Sequence, residues 1–128
     1  MAQSNHFSRI FGNMVYITRR ERFSAAHRLF RADWSDAENH RVFGNCSNPH
    51  WHGHNYELFV TVKGNINPDT GFVMDLKQMK TIIHDHVISH CDHKNINLEV
   101  GFMQGKMAST EVIAQSIFET LKPHFDTE

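Results

Sequence analysis

The sequence has few of the residues that mark several large classes of protein. It contains only two cysteines, so a disulfide-stabilised secreted domain is not indicated, and we expect Cys46 and Cys91 to be reduced. Three prolines and seven glycines in 128 residues indicate no low-complexity linker. No apolar run approaches the ~20 residues that a membrane-spanning helix needs.

Charge of one sign is also scarce. Thirteen lysines and arginines stand against fourteen aspartates and glutamates, which gives a formal net charge of −1. The basic residues form no stripe, so the sequence does not indicate a surface for nucleic acid. The N-terminal residues lack the long apolar core of a signal peptide. We therefore predict a cytoplasmic location, with neither a nucleic acid nor a membrane as partner.

Histidine and phenylalanine, in contrast, are abundant, with eleven and ten residues. The hydrophobic content of 40% is enough for one core, and 128 residues correspond to one domain. We assign residues 1–13 to an N-terminal extension and residues 14–128 to that domain. The histidines fall largely in two clusters: His50, His52 and His54, and then His84, His86, His90 and His93.

Hydrophobic periodicity predicts an α+β domain with an antiparallel sheet covered by helices on one face. The predicted elements are a strand over 14–23 continuing with a bulge through 24–29, a helix over 36–42, a strand over 55–66, a short strand over 72–74, a helix from 76 that ends before Cys91, and a helix from 109 or 110 that ends before Pro123. Ser35 and Asp75 are predicted to cap the first two helices. Three strands and two long helices would make a thin domain.

A candidate metal site lies where the second strand begins. Residues i and i+2 of a strand project from the same face, so the imidazoles of His52 and His54 would converge. His27 is the best third ligand, provided that the first two strands pair. Three histidines with an open fourth position are typical of catalytic zinc, whereas a half-buried His27 beside a chance His-x-His pair is the alternative without a metal. Cys46, six residues before His52, is either a fourth ligand or a nucleophile or base, and both readings stay open.

Two more groups are candidates for chemistry. Asp92 can fix the tautomer of His93 and stabilise its charged form, as in a catalytic triad, if both lie in a loop. Ser109, Thr110 and Glu111 open the last helix, where free backbone N–H groups and a carboxylate offer a site for a polar heterocycle. A helix N-cap is the simpler explanation of Ser109.

Taken in order, these motifs resemble the 6-pyruvoyl tetrahydropterin synthase family over about residues 14–123. The matching segments are Phe23-Ser24-Ala25-Ala26-His27-Arg28-Leu29, Phe43-Gly44-Asn45-Cys46 with Asn48-Pro49, His52-Gly53-His54-Asn55-Tyr56, Asp69-Thr70-Gly71-Phe72-Val73-Met74-Asp75-Leu76, Asp92-His93-Lys94-Asn95 and Ser109-Thr110-Glu111. The resemblance implies a tunnelling fold, in which an antiparallel sheet with helices on one face is completed into a barrel by oligomerisation. It also implies a homo-hexamer, formed as a dimer of trimers.

The resemblance further implies a zinc-dependent lyase. Its reaction would convert 7,8-dihydroneopterin triphosphate to 6-pyruvoyl tetrahydropterin with loss of triphosphate. The implied residues are the Zn²⁺ ligands His27, His52 and His54, the proton-transfer residues Cys46, Asp92 and His93, with the last two reaching from a neighbouring subunit, and the substrate-binding residues Ser109, Thr110 and Glu111.

Two other functions are alternatives. The related 6-carboxytetrahydropterin synthases of deazapurine (queuosine) biosynthesis typically have a shorter step from the cysteine to the first histidine, so the six-residue step from Cys46 to His52 favours the pyruvoyl branch. A non-catalytic pterin- or purine-binding module with a structural zinc is the second. The family's last strand, which carries a glutamate that anchors the pterin, is expected to be absent, and Glu128 does not take its role.

Overall fold

The computed structural model describes residues 14–125, so the predicted extension over 1–13 and the last three residues lie outside the described part. The elements in chain order are β1 (Met14–His27), α1 (Asp36–Phe43), β2 (His52–Asn65), α2 (Leu76–Ile83), α3 (Ser89–Cys91), β3 (Lys94–Asn95), α4 (Ile96–Glu99) and α5 (Thr110–Phe125). A π-helical turn (His84–Ile88) joins α2 to α3, and 3₁₀ turns lie at Gly44–Ser47 and Gly101–Met103. The α+β prediction is therefore confirmed.

β1 and β2 form a long antiparallel hairpin. They pair from Met14 opposite Asn65 to His27 opposite His52, without a break in register. The bulge predicted after Phe23 is therefore wrong, and the alternation of exposed and less exposed residues shows why. Phe23, Ala25 and His27 are all buried, which requires an uninterrupted two-residue period because an extra residue would turn the next side chains to the opposite face.

The predicted third strand over 72–74 is wrong. This segment is irregular, and the Val73 side chain packs across β2, with Cγ1 only 2.7 Å from where a Cβ on Gly64 would lie. The third strand of the described sheet is β3, which pairs in parallel with Ala25 and Ala26 of β1. The sheet, in the order β2-β1-β3, is thus mixed, not purely antiparallel as predicted.

Helix starts follow the sequence more closely than helix ends do. Ser35 Oγ accepts a hydrogen bond from the backbone N–H of Glu38 at 3.1 Å, and Asp75 Oδ1 accepts one from Lys77 at 2.9 Å, so both predicted caps are confirmed. The helix that begins at Leu76 was expected to end before Cys91, but its continuation, α3, includes that residue. The last helix was expected to end before Pro123 but continues to Phe125, although Pro123 lacks the N–H for one helical hydrogen bond.

The core lies between the hairpin and the helices. Apolar faces of α2, the π-helical turn and α5 pack over Phe23 and Ala25 of β1. The largest fully buried side chains are those of Met79, Ile83, Val87, Cys91, Ile96, Val100 and Met103. The helix-covered face of the hairpin also carries the histidines at its end, so the metal-binding candidates adjoin this core. Within residues 14–125, no helix combines the length and the apolar character needed to cross a membrane.

Candidate metal centre

Strand register brings the three predicted histidines together. His27 lies opposite His52, and Ala25 lies opposite His54, so all three imidazoles project from the helix-covered face. The ring centroids are 5.4 Å apart for His27 and His52, 4.7 Å for His27 and His54, and 4.1 Å for His52 and His54. The convergence expected from the His-x-His spacing is thus what the described hairpin has, with His27 contributed by the other strand.

Cys46 joins this cluster from the 3₁₀ turn that follows α1. Its Sγ lies 3.8 Å from Nε2 of His52, and its carbonyl accepts a hydrogen bond from the N–H of Leu29 at 2.7 Å. Gly44 begins the turn with φ +60°, a conformation that favours glycine. Potential ligand atoms of Cys46 and the three histidines all lie within 4.8 Å of one another, so the four residues could hold a metal ion.

The hydrogen bonds of His27 test whether a metal fits. The ring is 4% exposed, and its Nδ1 donates to the carbonyl oxygen of Ala108 at 2.8 Å. The proton on Nδ1 leaves Nε2 with a lone pair, and Nε2 is buried without a hydrogen-bond partner in the described structure. A metal-binding imidazole normally has this arrangement, with one nitrogen fixed by a carbonyl and the other free. The site therefore fits a metal that prefers nitrogen and sulfur ligands, as zinc does.

The surroundings of His54 also favour a neutral imidazole. Burial, together with the neighbouring His52 and His27, lowers the pKa of His54 below its ordinary value of 6.5. A neutral imidazole is the form that binds a metal.

Tyr56 adjoins the histidines and was not singled out from the sequence. Its ring stacks on Phe23, with centroids 4.8 Å apart, and meets the ring of His54 edge-on at 5.7 Å. Burial first, and then the neighbouring Cys46 and Cys91, raise the pKa of Tyr56 to about 12. The two-residue period of the strand could have identified Tyr56 from the sequence, because Tyr56 follows His52 and His54 on the same face.

Asp92 and His93 lie in the loop before β3, as their cooperation requires. Oδ2 of Asp92 is 3.0 Å from Nδ1 of His93, and its Oδ1 accepts a hydrogen bond from the N–H of Ser24 at 2.9 Å. His93 has φ +59°, and its N–H donates to the carbonyl of Ser24 at 2.7 Å. Its side chain is 83% exposed, and no hydrogen bond in residues 14–125 connects the pair to Cys46. His93 and His54 do line one open cavity of about 500 Å³.

The Asp92 carboxylate predicts a pH-dependent contribution to stability. The N–H of Ser24 and then the His93 ring hold the pKa of Asp92 below its ordinary 3.8. A carboxyl with a lower pKa in the folded state stabilises the protein above its unfolded-state pKa, and that stability is lost as the pH falls through the folded-state pKa. At neutral pH, we expect Asp92→Asn to unfold at a lower urea concentration than wild type. This gap in urea concentration should close as the pH falls below 3.8.

Urea unfolding of both proteins across this pH range measures the gap. Asp69→Asn, in the exposed turn before 72–74, is the matched control and should unfold at the same urea concentration as wild type at neutral pH. A gap that widens as the solution is acidified would contradict the assignment of these hydrogen bonds to an ionised Asp92.

Ser109, Thr110 and Glu111 form the start of α5. Oγ of Ser109 accepts a hydrogen bond from the N–H of Val112 at 3.3 Å, so the N-cap explanation accounts for this residue. Thr110 and Glu111 are exposed. Because the preceding residue, Ala108, holds His27, this helix start lies beside the metal centre, and its substrate-binding role stays a prediction.

Asn97 is a second residue that the sequence analysis missed. Its Oδ1 accepts from the N–H of Arg28 at 3.0 Å, and its Nδ2 donates to the carbonyl of Arg28 at 2.9 Å. The Asn97 side chain thus pairs with the backbone of Arg28 as a neighbouring strand would. Asn97 lies in the four-residue helix α4, and an asparagine there carries no sequence signal for this role.

Asn97→Ala should therefore weaken both the fold and the metal centre. Leaving the N–H and C=O of Arg28 without partners should lower the free energy of unfolding by about 1–3 kcal/mol. The metal affinity should fall about 10- to 100-fold, as it does when groups that orient ligands are lost. Chemical denaturation and competition with a chelator measure the two effects, with the exposed Asn65→Ala as control. Unchanged values for both would show that Asn97 does not hold this end of β1.

The chain is similar to known proteins over most of its length. A family model described as 6-pyruvoyl tetrahydropterin synthase matches residues 16–128. The 6-pyruvoyl tetrahydrobiopterin synthase of Homo sapiens is 42% identical over 106 residues, which are 83% of this chain and 73% of that protein. The 6-carboxy-5,6,7,8-tetrahydropterin synthase of Bacillus subtilis is 30% identical over 87 residues, which are 66% of this chain and 56% of that protein. The structure of Caenorhabditis elegans 6-pyruvoyl tetrahydropterin synthase is similar with a TM-score of 0.81 and 38% identity, covering 89% of this chain and 81% of that one.

Proposed function

Because the chain belongs to the 6-pyruvoyl tetrahydropterin synthase family, we propose that it is a zinc-dependent lyase that converts 7,8-dihydroneopterin triphosphate to 6-pyruvoyl tetrahydropterin and triphosphate. The observation that carries this proposal is the cluster of Cys46 with three histidines, in which Nε2 of His27 is buried and unpaired. The pyruvoyl branch is favoured over the carboxy branch because relatives named for the former are 38–43% identical, whereas a relative named for the latter is 30% identical.

His27, His52 and His54 would hold the zinc, and Cys46 would remain free as a base. Bound there, zinc would polarise the oxygens on the side chain of the substrate and make the neighbouring C–H bonds more acidic. The Cys46 thiolate would take the proton released from such a bond, since the thiolate is the reactive form of cysteine. The position of Sγ, 3.8 Å from Nε2 of His52, supports this role.

His93, oriented by Asp92, relays protons at the active site of a neighbouring subunit. The exposure of the His93 side chain supports this arrangement, as does the lack of a hydrogen bond to Cys46 within the described chain. Asp92 would hold the imidazole in one tautomer through Nδ1, which leaves Nε2 as the free nitrogen for proton transfer.

The subunits assemble as a homo-hexamer, a dimer of trimers in which the sheets close into a barrel. The largely unpaired edges of the sheet support this assembly. In the described residues, β3 covers only Ala25 and Ala26 of β1, and β2 has no strand on its outer side. Unpaired edges are normally covered in native proteins. The free thiols of Cys46 and Cys91 support a cytoplasmic enzyme. Ser109, Thr110 and Glu111 would contact the pterin from the start of α5.

Mass spectrometry of the product formed from 7,8-dihydroneopterin triphosphate tests the proposal. The expected mass is that of 6-pyruvoyl tetrahydropterin, with one triphosphate released per turnover. A 6-carboxytetrahydropterin product would assign the chain to the carboxy branch instead. Bound zinc without release of triphosphate would indicate a non-catalytic pterin-binding module and overturn the enzymatic proposal.

A further inference from the structure

Arg28 is the one arginine of residues 14–125 that has no carboxylate partner. The other five each have a nitrogen 2.6 to 3.9 Å from an oxygen of an aspartate or glutamate: Arg19, Arg20, Arg22, Arg31 and Arg41. Arg28 is also partly buried. A guanidinium is always charged, and withdrawing a charge from water costs free energy unless an opposite charge compensates for it. Arg28 therefore lacks an anion that the described chain does not supply.

Two contacts fix the guanidinium of Arg28 and leave part of it free. Its Nε donates a hydrogen bond to the carbonyl oxygen of Ser47 at 2.9 Å, and its Cζ lies 4.0 Å from the ring centroid of Phe30. Its two terminal amino groups donate to no acceptor in residues 14–125. Such a fork of N–H donors matches the oxygens of a phosphate group, so the free side of Arg28 is suited to a phosphorylated ligand.

Arg28 lines a polar cavity of about 310 Å³. Its other walls are α1, the 3₁₀ turn Gly44–Ser47 and the residues just after this turn, with Asn45 and Asn48 among the lining residues. In the described part of the chain, neither the Asn45 side chain nor Nδ2 of Asn48 makes a hydrogen bond, so both amides can donate to a ligand. Asp36 is the one carboxylate among the described lining residues, and it is exposed, so water and salt screen its charge.

We propose that this cavity binds the triphosphate of the substrate, with the Arg28 guanidinium and the amides of Asn45 and Asn48 donating to its oxygens. The inference rests on the proposed function and adds the residues that hold the triphosphate. Arg28 directly follows the ligand His27 in the chain. Asn45 directly precedes Cys46, so the cavity borders the metal centre. The triphosphate ends the same short side chain whose oxygens would meet the zinc, so it must lie in a neighbouring site.

Calorimetric titration of the zinc-loaded protein with inorganic triphosphate tests the inference. Arg28→Met should weaken binding about 10- to 100-fold, the change expected for losing hydrogen bonds to a charged group. Arg28→Lys keeps the positive charge and should weaken binding less than about tenfold. Arg41→Met is the matched control and should bind like wild type, because Arg41 lies on α1 beside the cavity but is paired with Glu38 and 70% exposed.

Two further measurements separate triphosphate binding from a structural effect. 7,8-Dihydroneopterin lacks the triphosphate, so its affinity for Arg28→Met should equal its affinity for wild type. Asn45→Ala removes a side chain that makes no hydrogen bond within residues 14–125, so it should leave the fold intact. It should still weaken triphosphate binding about 2- to 10-fold, which tests the cavity even if Arg28→Met does not fold.

Two kinds of result would overturn the inference. One is a wild-type protein that does not bind inorganic triphosphate, or an Arg28→Met variant that binds it as tightly as wild type. The other is an equal loss of affinity for triphosphate and for 7,8-dihydroneopterin, which would show that Arg28 only maintains the metal centre. If the wild type releases no triphosphate from its substrate, the proposed function fails, whereas the titrations still decide whether the cavity binds triphosphate.

Discussion

Replacing His27 by alanine is expected to remove the metal and, with it, at least about 99% of turnover. Loss of one of three imidazole ligands leaves His52 and His54, which are too few for a stable catalytic zinc site. Groups that merely orient ligands change metal affinity about 10- to 100-fold when they are lost, so a ligand should cost more. His27→Ala also leaves the carbonyl of Ala108 without its partner, which should lower stability by about 1–3 kcal/mol.

Elemental analysis of purified protein and release of triphosphate measure these effects together. His50→Ala is the matched control, because His50 belongs to the same histidine-rich segment but is exposed and outside the ligand cluster. It should keep about one zinc per chain and wild-type turnover. If His27→Ala retains a full complement of zinc, the three-histidine site is wrong.

Replacing Cys46 by alanine should separate proton transfer from metal binding. We expect kcat to fall about 10²- to 10⁴-fold, the usual contribution of a general base, with the zinc content unchanged. The reason is geometric: three histidines supply a full ligand set for a catalytic zinc, and the sulfur is available as a base beside it. Zinc analysis and steady-state kinetics on the same preparation give both quantities.

Cys91→Ala is the control for this substitution. Cys91 is buried in the core, so its replacement should lower the melting temperature slightly while turnover per folded molecule stays at the wild-type level. A Cys46→Ala protein that loses its zinc would assign Cys46 as a fourth ligand and the centre as structural.

The parts of the fold that depend on a local sequence pattern were predicted correctly. Alternation identified the two strands of the hairpin, and side chains that bond a backbone N–H two or three residues away gave the helix starts at Ser35 and Asp75. The strand predicted over 72–74 was wrong, because three apolar residues fit a strand or a packed loop equally well. The two-residue strand Lys94–Asn95 carries no pattern and exists because β1 pairs with it.

That His52 and His54 share one face of β2 follows from their spacing alone, since strand alternation acts between residues two apart. The packing of distant segments, in contrast, decided that the register of β1 places His27 opposite them, and that Ala108, 81 residues away, puts the proton on Nδ1 of His27. It also decided that Asn97 holds Arg28 and that the Tyr56 hydroxyl is left unpaired. Those contacts join residues distant in the chain, so they depend on how the hairpin and helices pack and not on any local repeat.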